Sequence, residues 1–217
     1  KAHDTTITDL SWSNAGDRFL SVSFDNSIKV WDRESHELKT SFVDSSGTLG
    51  AGWSPDDTQI IVANGDSTAR IWDVESGEVV KTLEGHQSAL ITAAFSPDGT
   101  QALTTSFDNT ARIWDVESGE TIFTLEHGAG VNSGVWSPDG ARVATAASDG
   151  VLRVWDAQTG EIVFEITAHL GSMQTVSWSP NGLMLATTGF DNLARIWNAS
   201  TGDLISTLSD HTSNVID

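Results

Sequence analysis

The sequence predicts an all-β protein made of five copies of one unit, and three observations support this prediction. Trp-Asp or Trp-Asn pairs recur at spacings of 41, 42, 41 and 42 residues. Tight-turn sequences recur with the same period. Short runs of apolar or alternating residues, rich in β-branched and aromatic side chains, separate the turns, whereas a helical period never lasts for three turns. Each unit therefore supplies four strands.

The turns define the strand boundaries. All four prolines of the chain lie in Ser-Pro-Asp/Asn-Gly/Asp turns, which fall at residues 54–57, 96–99, 137–140 and 179–182. Proline presets the first corner of such a turn, and Gly or Asn tolerates the left-handed backbone that follows. In the third copy, the turns predict strands at about 89–95, 101–106, 110–115 and 121–125.

Four-stranded copies that end in Trp-Asp and open at a recurrent histidine resemble the WD-repeat β-propeller family over essentially the whole chain. The resemblance implies a β-propeller with five visible four-stranded antiparallel blades and the start of a sixth repeat. The five repeats and the start of the sixth span about 1–42, 43–84, 85–126, 127–168, 169–210 and 211–217. The chain is either a single propeller domain or a fragment of a larger propeller. Residues 69–78 recur letter for letter at 111–120, which indicates recent duplication, and the repeats look bacterial in type.

The chain opens with Lys1, Ala2 and His3, with no initiator methionine and no apolar stretch. We interpret this opening as an internal cut from a longer protein or as part of a tagged chain.

Polar residues recur at fixed distances before the Trp of each Trp-Asp or Trp-Asn pair. An Asp stands six residues before this Trp in every repeat, and in four of the five repeats a Ser or Thr stands ten and a His 28 residues before it. In the WD-repeat family these positions resemble a hydrogen-bond relay from indole to hydroxyl to imidazole to carboxylate. The implied structural relays are His3, Ser21, Asp25 and Trp31; His86, Thr104, Asp108 and Trp114; His127, Thr145, Asp149 and Trp155; and His169, Thr187, Asp191 and Trp197.

The second repeat departs from this pattern, because Asp44 replaces the histidine and Val62 replaces the hydroxyl. We expect no relay there. Asp66 and Trp72 must then find other partners.

The same residue types form catalytic triads, but we interpret them as structural. A catalytic set occurs once, exposed beside an oxyanion hole, whereas this set occurs four times with a Trp donor occupying each hydroxyl. The histidines lack a second ligand at short spacing, and the chain has no cysteine and no phosphate-binding glycine loop. We therefore expect no enzymatic activity, no metal and no cofactor.

The charge is strongly acidic, with 30 Asp and Glu against 11 Lys and Arg, for a net charge of −19. Such a surface repels nucleic-acid phosphates and anionic lipids, so neither nucleic acid nor membrane is an expected partner. It would attract basic peptides, although acidic excess can also serve solubility alone. The absence of cysteine fits a reducing compartment, and we expect a cytoplasmic location.

Residues that recognise a partner should lie where the copies differ, on loops at one rim. By resemblance, the recognition face uses the residue before the turn Asp and the residues three and five after the His position. From these positions we select, as partner-binding residues, Phe24, Phe107, Phe190, Leu49, Ile91, Thr8, Asn132 and Gln174. Exposed aromatics on a rim usually mark a binding site. The alternative is that each Phe folds over its own hairpin and caps the relay.

The function predicted from these features is a non-catalytic protein-interaction scaffold for a protein or peptide that is basic or carries apolar anchors. Two alternatives stay open. One is a structural unit that self-associates through open blade edges or completes a ring with other blades. The other is a sensor domain of a larger signalling protein.

Overall fold

The computed structural model describes residues 2–215 and contains, within them, twenty strands and no helix. The strands are β1 (Ile7–Trp12), β2 (Arg18–Ser23), β3 (Ser27–Asp32), β4 (Leu38–Val43), β5 (Thr48–Trp53), β6 (Gln59–Asn64), β7 (Thr68–Asp73), β8 (Val79–Glu84), β9 (Leu90–Phe95), β10 (Gln101–Ser106), β11 (Thr110–Asp115), β12 (Thr121–Glu126), β13 (Val131–Trp136), β14 (Arg142–Ala147), β15 (Val151–Asp156), β16 (Ile162–Thr167), β17 (Met173–Trp178), β18 (Met184–Gly189), β19 (Ala194–Asn198) and β20 (Leu204–Leu208). The four strands predicted for the third repeat are confirmed as β9 to β12 with ends shifted by at most one residue.

The strands form five four-stranded sheets, each with its strands in chain order. We call them blades 1 to 5, and each contains one repeat. The prediction of an all-β chain with five four-stranded blades is confirmed. Successive strands pair antiparallel, so that Phe19 of β2, for example, faces Trp12 of β1 and Trp31 of β3.

The chain divides into two compact units. Unit 1 comprises the described residues of Lys1–Thr104 and Trp114–Ile122, and unit 2 comprises those of Thr105–Ile113 and Phe123–Asp217. Blades 1 and 2 lie in unit 1 and blades 4 and 5 in unit 2, whereas blade 3 contributes residues to both.

Neighbouring blades within a unit pack face to face. We call the face that packs on the preceding blade the leading face, and the face that receives the following blade the trailing face. In unit 1 the trailing face of blade 1 and the leading face of blade 2 form one apolar cluster, which contains Leu20, Val22, Ile28, Val30 and Phe42 of blade 1 and Ala51, Trp53, Ile60, Val62, Trp72 and Val74 of blade 2. A similar cluster joins blades 4 and 5 in unit 2.

A β-bulge recurs near the start of the first strand. The register shifts between Ile7 and Asp9 in blade 1, and equivalent shifts occur in blades 2, 4 and 5. A bulge leaves one residue out of the pairing and redirects its side chain. The residues skipped in this way are Thr8, Leu49, Asn132 and Gln174.

Candidate partner-binding surface and hydrogen-bond relays

Blade 1 contains a chain of polar contacts on its leading face. The Trp31 indole donates to Ser21 Oγ at 2.8 Å, and Ser21 Oγ lies 2.7 Å from His3 Nε2. His3 Nδ1 lies 2.8 Å from Ser27 Oγ and 3.2 Å from Asp25 Oδ2. Because Ser21 Oγ already accepts from the indole, its own proton is free to donate to Nε2, which places the imidazole proton on Nδ1.

Blades 3 and 5 have the same core of contacts. The Trp114 and Trp197 indoles donate to Thr104 and Thr187 Oγ1 at 2.8 and 2.9 Å. His86 and His169 Nε2 each lie 2.8 Å from these hydroxyls. In blade 5 the chain continues from His169 Nδ1 to Asp191 Oδ1 at 2.8 Å.

The end of the relay differs in blade 4 from the sequence expectation. His127 Nε2 lies 2.8 Å from Thr145 Oγ1, but His127 Nδ1 donates to the carbonyl of Leu125 at 2.9 Å instead of to Asp149. Asp149 accepts instead from the Arg153 guanidinium at 3.2 Å. The backbone carbonyl, two residues before the histidine, thus serves as the acceptor in place of the carboxylate.

Burial also changes the titration of this histidine. Burial of the imidazole and the positive charge of Arg153 lower the pKa of His127 to about 4. His127 is therefore neutral at physiological pH.

Blade 2 replaces the relay with an ion-pair network. Arg70 donates from Nη1 to Asp44 Oδ1 at 3.0 Å and from Nη2 to Asp66 Oδ2 at 2.6 Å. Asn64 Nδ2 donates to Asp44 Oδ2 at 3.2 Å. Because Val62 supplies no hydroxyl, the buried Trp72 Nε1–H has no hydrogen-bond partner within the described part of the chain. The sequence predicted the missing relay but not that Arg70 would link Asp44 to Asp66.

The relays have the residue types of a catalytic triad but lack access for a substrate. Ser21 is 2% exposed and Thr104, Thr145 and Thr187 are 0% exposed. Each hydroxyl accepts from an indole and contacts an imidazole, so its proton is engaged within the relay. The relay hydroxyls thus lie inside their blades, where a substrate could not reach them.

The turn between the second and third strands of each blade places an Asp and the residue before it. The carboxylate of the turn Asp accepts from the backbone N–H two residues later, for example Asp25 Oδ1 from Ser27 N at 2.9 Å. The residue after the Asp has a left-handed backbone in every blade, as at Asn26, with a φ of 66°. This turn projects the preceding residue away from the strand pair.

The three rim phenylalanines precede these turn aspartates and are exposed. Phe24 is 55%, Phe107 56% and Phe190 47% exposed. The Phe107 ring lies beside Gly130, where an added Cβ would approach Cδ1 to 3.4 Å. The ring therefore lies partly over the neighbouring loop and still offers half of its surface to solvent.

The other predicted rim residues are half-buried. Thr8 Oγ1 donates to the carbonyls of Val22 and Thr48 at 3.3 and 3.4 Å, and the Asn132 amide donates to Ser172 Oγ at 3.0 Å and Met173 O at 2.6 Å. Both side chains thus tie one blade to the next within their unit. Gln174 donates to Ser172 Oγ at 3.0 Å, while Leu49 and Ile91 are only partly accessible.

The carboxylates next to the rim phenylalanines remain charged. Burial disfavours ionisation of Asp191, but hydrogen bonds from His169 and Arg195 outweigh burial and lower the pKa of Asp191 to about 2. Burial likewise opposes ionisation of Asp25, and hydrogen bonds from Ser27 and from the Asp4 backbone lower the pKa of Asp25 well below its usual range. An apolar ring and a fixed negative charge are therefore adjacent in blades 1 and 5.

Two further kinds of site are absent from residues 2–215. This part of the chain has no helix that is long and apolar enough to cross a membrane. It also has no group of three or more His, Cys, Asp or Glu side chains placed to hold a metal ion.

Comparison with known proteins decides the family. The WD domain, G-beta repeat family matches this chain five times in succession, at residues 1–32, 37–73, 77–115, 119–156 and 160–198. The chain belongs to this WD-repeat family. Each match ends at the third strand of a blade, so the matches follow the period of the five blades with an offset of one strand. The resemblance drawn from the Trp-Asp period is confirmed.

Individual relatives match over shorter stretches of this WD-repeat chain. It is 31% identical to human pre-mRNA-processing factor 17 over 93 residues, which are 42% of this chain and 16% of that protein. It is 35% identical to Drosophila melanogaster actin-interacting protein 1 over 81 residues, covering 36% of this chain and 13% of that protein. It is 34% identical to mouse WD repeat-containing protein 1 over 84 residues, covering 37% and 14%. The matched part thus spans less than a fifth of each relative.

Proposed function

We propose that this WD-repeat chain is a non-catalytic scaffold that binds a protein or peptide. The binding surface is formed by the exposed phenylalanines in the turns between the second and third strands of the blades. One observation carries the proposal: Phe24, Phe107 and Phe190 are about half exposed, although each lies in an otherwise tightly hydrogen-bonded turn. Large apolar side chains held rigidly at a surface are typical anchors of protein interfaces. The names of two relatives point the same way, since one is an actin-interacting protein and another a pre-mRNA-processing factor.

The proposed partner is basic and carries apolar anchors. The chain has a net charge of −19, and the carboxylates of Asp25 and Asp191 next to the rim phenylalanines stay ionised near neutral pH. A Lys or Arg beside an aromatic or aliphatic anchor would match this pairing of ring and charge. A cytoplasmic location belongs to the same proposal and rests on the lack of cysteine.

A selection from a library of random linear peptides tests this proposal. The chain is immobilised, and peptides are enriched against it and then against the Phe107→Asp/Phe190→Asp double variant. Leu183→Asp is the matched control, because Leu183 of blade 5 is also exposed, at 66%. It lies between β17 and β18, at the opposite end of β18 from Phe190. Phe24→Asp tests the unit 1 ring separately.

We expect peptides rich in Lys or Arg with an apolar anchor, which bind the wild type and Leu183→Asp but not the double variant. Peptides that bind the double variant as well as the wild type would contradict the assignment of this surface. Enriched acidic peptides would contradict the assigned partner chemistry.

A further inference from the structure

The leading face of blade 1 is an exposed aromatic surface. Trp12 and Leu10 are 61% and 62% exposed. The Trp12 and Phe19 ring centroids are 5.5 Å apart, and Phe19 stacks on Trp31 at 6.0 Å. Leu10, Trp12 and Phe19 line a groove of about 230 Å³.

In blades 2 and 3 the same position is buried by the preceding blade. Trp53 is 7% and Phe95 8% exposed. The Trp53 indole donates to the carbonyl of Ser11 at 3.2 Å, and the Arg18 guanidinium lies 5.1 Å from the Trp53 ring centroid. The leading face of blade 1 therefore has the side chains of a blade interface without the blade.

The trailing face of blade 5 is also partly exposed. Leu208 is 50% and Met184 39% exposed, while Ala186 and Ile196 are half-buried. At the matching positions of blade 1, Leu20 and Val30 are 1% and 0% exposed and Phe42 is 5% exposed, because blade 2 covers them.

The two uncovered faces match each other in side-chain size. In three pairs of neighbouring blades, the second strand of one blade and the first strand of the next each place one residue in a shared core cluster, and the larger of the two is combined with a smaller one. These pairs are Leu20 with Ala51, Ile61 with Ala93, and Ala144 with Val176. Blade 5 has the small Ala186 in the first position, and blade 1 has the large Leu10 in the second. Packing at constant volume favours such a combination.

A second pair of positions shows the same reversal of a large and a small residue. The Phe123 and Phe164 rings lie over Gly160 and Gly202 of the following blade, where an added Cβ would come within 2.7 and 3.1 Å of the ring. At the corresponding glycine position, blade 1 has His36, with a φ of 59°, and at the corresponding phenylalanine position, blade 5 has the small Ser206. A large residue thus stands where a glycine is usual, opposite a small residue that replaces a phenylalanine.

We propose that the trailing face of blade 5 docks on the leading face of blade 1 of a second copy of this chain, head to tail. The contact is heterologous, so each copy keeps one further face free and higher oligomers follow at higher concentration. The surface is separate from the rim phenylalanines, and the proposal does not depend on the proposed function.

The C-terminal tail lies at one corner of the blade 5 face. The Val215 N–H donates to the Gly189 carbonyl at 3.4 Å, and Val215 is 8% exposed. In unit 1 the corresponding corner is filled by Thr48 of blade 2, whose hydroxyl donates to Ser23 O at 2.8 Å. The tail therefore competes with a docking blade at this corner, and a variant that ends at Ser209 should associate more tightly.

Light scattering of the full chain across a range of concentrations and salt tests the proposal. We expect the mass to rise above the 23.2 kDa monomer with concentration. It should rise further with salt, because screening weakens the repulsion between copies of net charge −19. Trp12→Asp should abolish association. Phe24→Asp, which replaces an aromatic residue of similar exposure outside both faces, should leave association unchanged.

Variants that change the side-chain sizes at Ser206 and His36 test the proposed contact most directly. Ser206→Phe should weaken association at least tenfold, and Ser206→Phe combined with His36→Gly should restore it, since this pair recreates the Phe and Gly of blades 4 and 5. A constant monomer mass at all concentrations would overturn the proposal. So would association that Trp12→Asp leaves intact, or a double variant no better than Ser206→Phe alone.

Discussion

In four blades a single Ser or Thr hydroxyl lies between a Trp indole and a His imidazole, and in blade 2 Val62 takes its place. Removing such a hydroxyl leaves a buried donor without a partner, which costs about 1–3 kcal/mol. We expect Thr187→Val to lower the free energy of unfolding by about this amount, because Trp197 and His169 both lose their partner.

The reciprocal change is the control. Val62→Thr offers an acceptor to the orphaned Trp72 indole and should stabilise the chain or leave its stability unchanged. Urea unfolding followed by Trp fluorescence measures both variants. Equal destabilisation by the two substitutions would contradict the relay, because it would mean that only packing volume matters at this position.

At the same scale, His127 predicts a pH dependence of stability. Its pKa is about 4 in the folded protein and 6.5 in a solvated chain, so the unfolded state binds more protons between these values. The contribution of His127 is complete above pH 6.5 and is lost as the pH falls towards 4, to a limit of about 3 kcal/mol.

Unfolding free energies measured between pH 4 and 7 test this slope. His127→Gln should flatten it. His36→Asn is the control, because His36 is exposed and Asn tolerates its positive φ. An unchanged slope in His127→Gln would show that another group titrates in this window.

At the scale of the element, the turns between the first and second strands hold blades 1 and 2 together through a contact between Asn14 and Asp57. In later blades of each unit a turn glycine packs against the proline of the preceding turn, as Gly99 does on Pro55. Blade 1 has Asn14 in place of the proline and blade 2 has Asp57 in place of the glycine. Asp57 accepts from the Asn14 backbone at 2.7 Å, from the Asn14 side chain at 2.9 Å and from the Ala15 backbone at 2.9 Å.

A double-mutant cycle tests this exchange. Asp57→Gly should destabilise the chain by about 1–3 kcal/mol because three donors lose their acceptor. Asn14→Pro combined with Asp57→Gly should recover part of the loss by recreating the contact between Pro55 and Gly99. Additive losses in the double variant would show that the two positions act independently.

Gly150 illustrates a turn that requires glycine for space as well as for conformation. It has a φ of 77°, and an added Cβ would lie 2.3 Å from His169 O and 2.7 Å from Gly171 O. Gly16 has a similar φ of 68° but nothing within 4 Å of an added Cβ. Gly16→Ala should therefore lower the free energy of unfolding only by the backbone strain, about 1 kcal/mol. Gly150→Ala should lower it considerably more, and the melting temperatures of the two variants measure this difference. Equal losses would contradict the crowding at Gly150.

At the scale of the whole molecule, the 42-residue period was sufficient to predict the blades. Every turn, strand and Trp recurs in it, so each copy supported the assignment of the others, and the observed β9 to β12 match the predicted strands. The relay positions also followed from the period. The rest depends on local contacts. Arg70 and Arg153 bind neighbouring carboxylates, and which acceptor an imidazole uses depends on distances that spacing does not encode.

One departure did carry a signal in the sequence. Asn14 stands where the equivalent turns have proline, and Asp57 stands where they have glycine. The two residues lie in consecutive turns of this kind. Reading these departures together would have predicted their contact. The exposure of Trp12 had no such signal, because the equivalent aromatic residues Trp53 and Phe95 are buried in blades 2 and 3.

The most direct test of the central claim is a calorimetric titration of a basic peptide with an aromatic anchor, chosen by the selection above. It compares the wild type, Phe107→Asp/Phe190→Asp and Leu183→Asp at low and high salt. We predict an affinity that falls with salt, a loss of about 100-fold in the double variant and no loss in Leu183→Asp. Equal affinities for the wild type and the double variant would contradict the account, because the exposed phenylalanines would then be turn caps and not a binding surface.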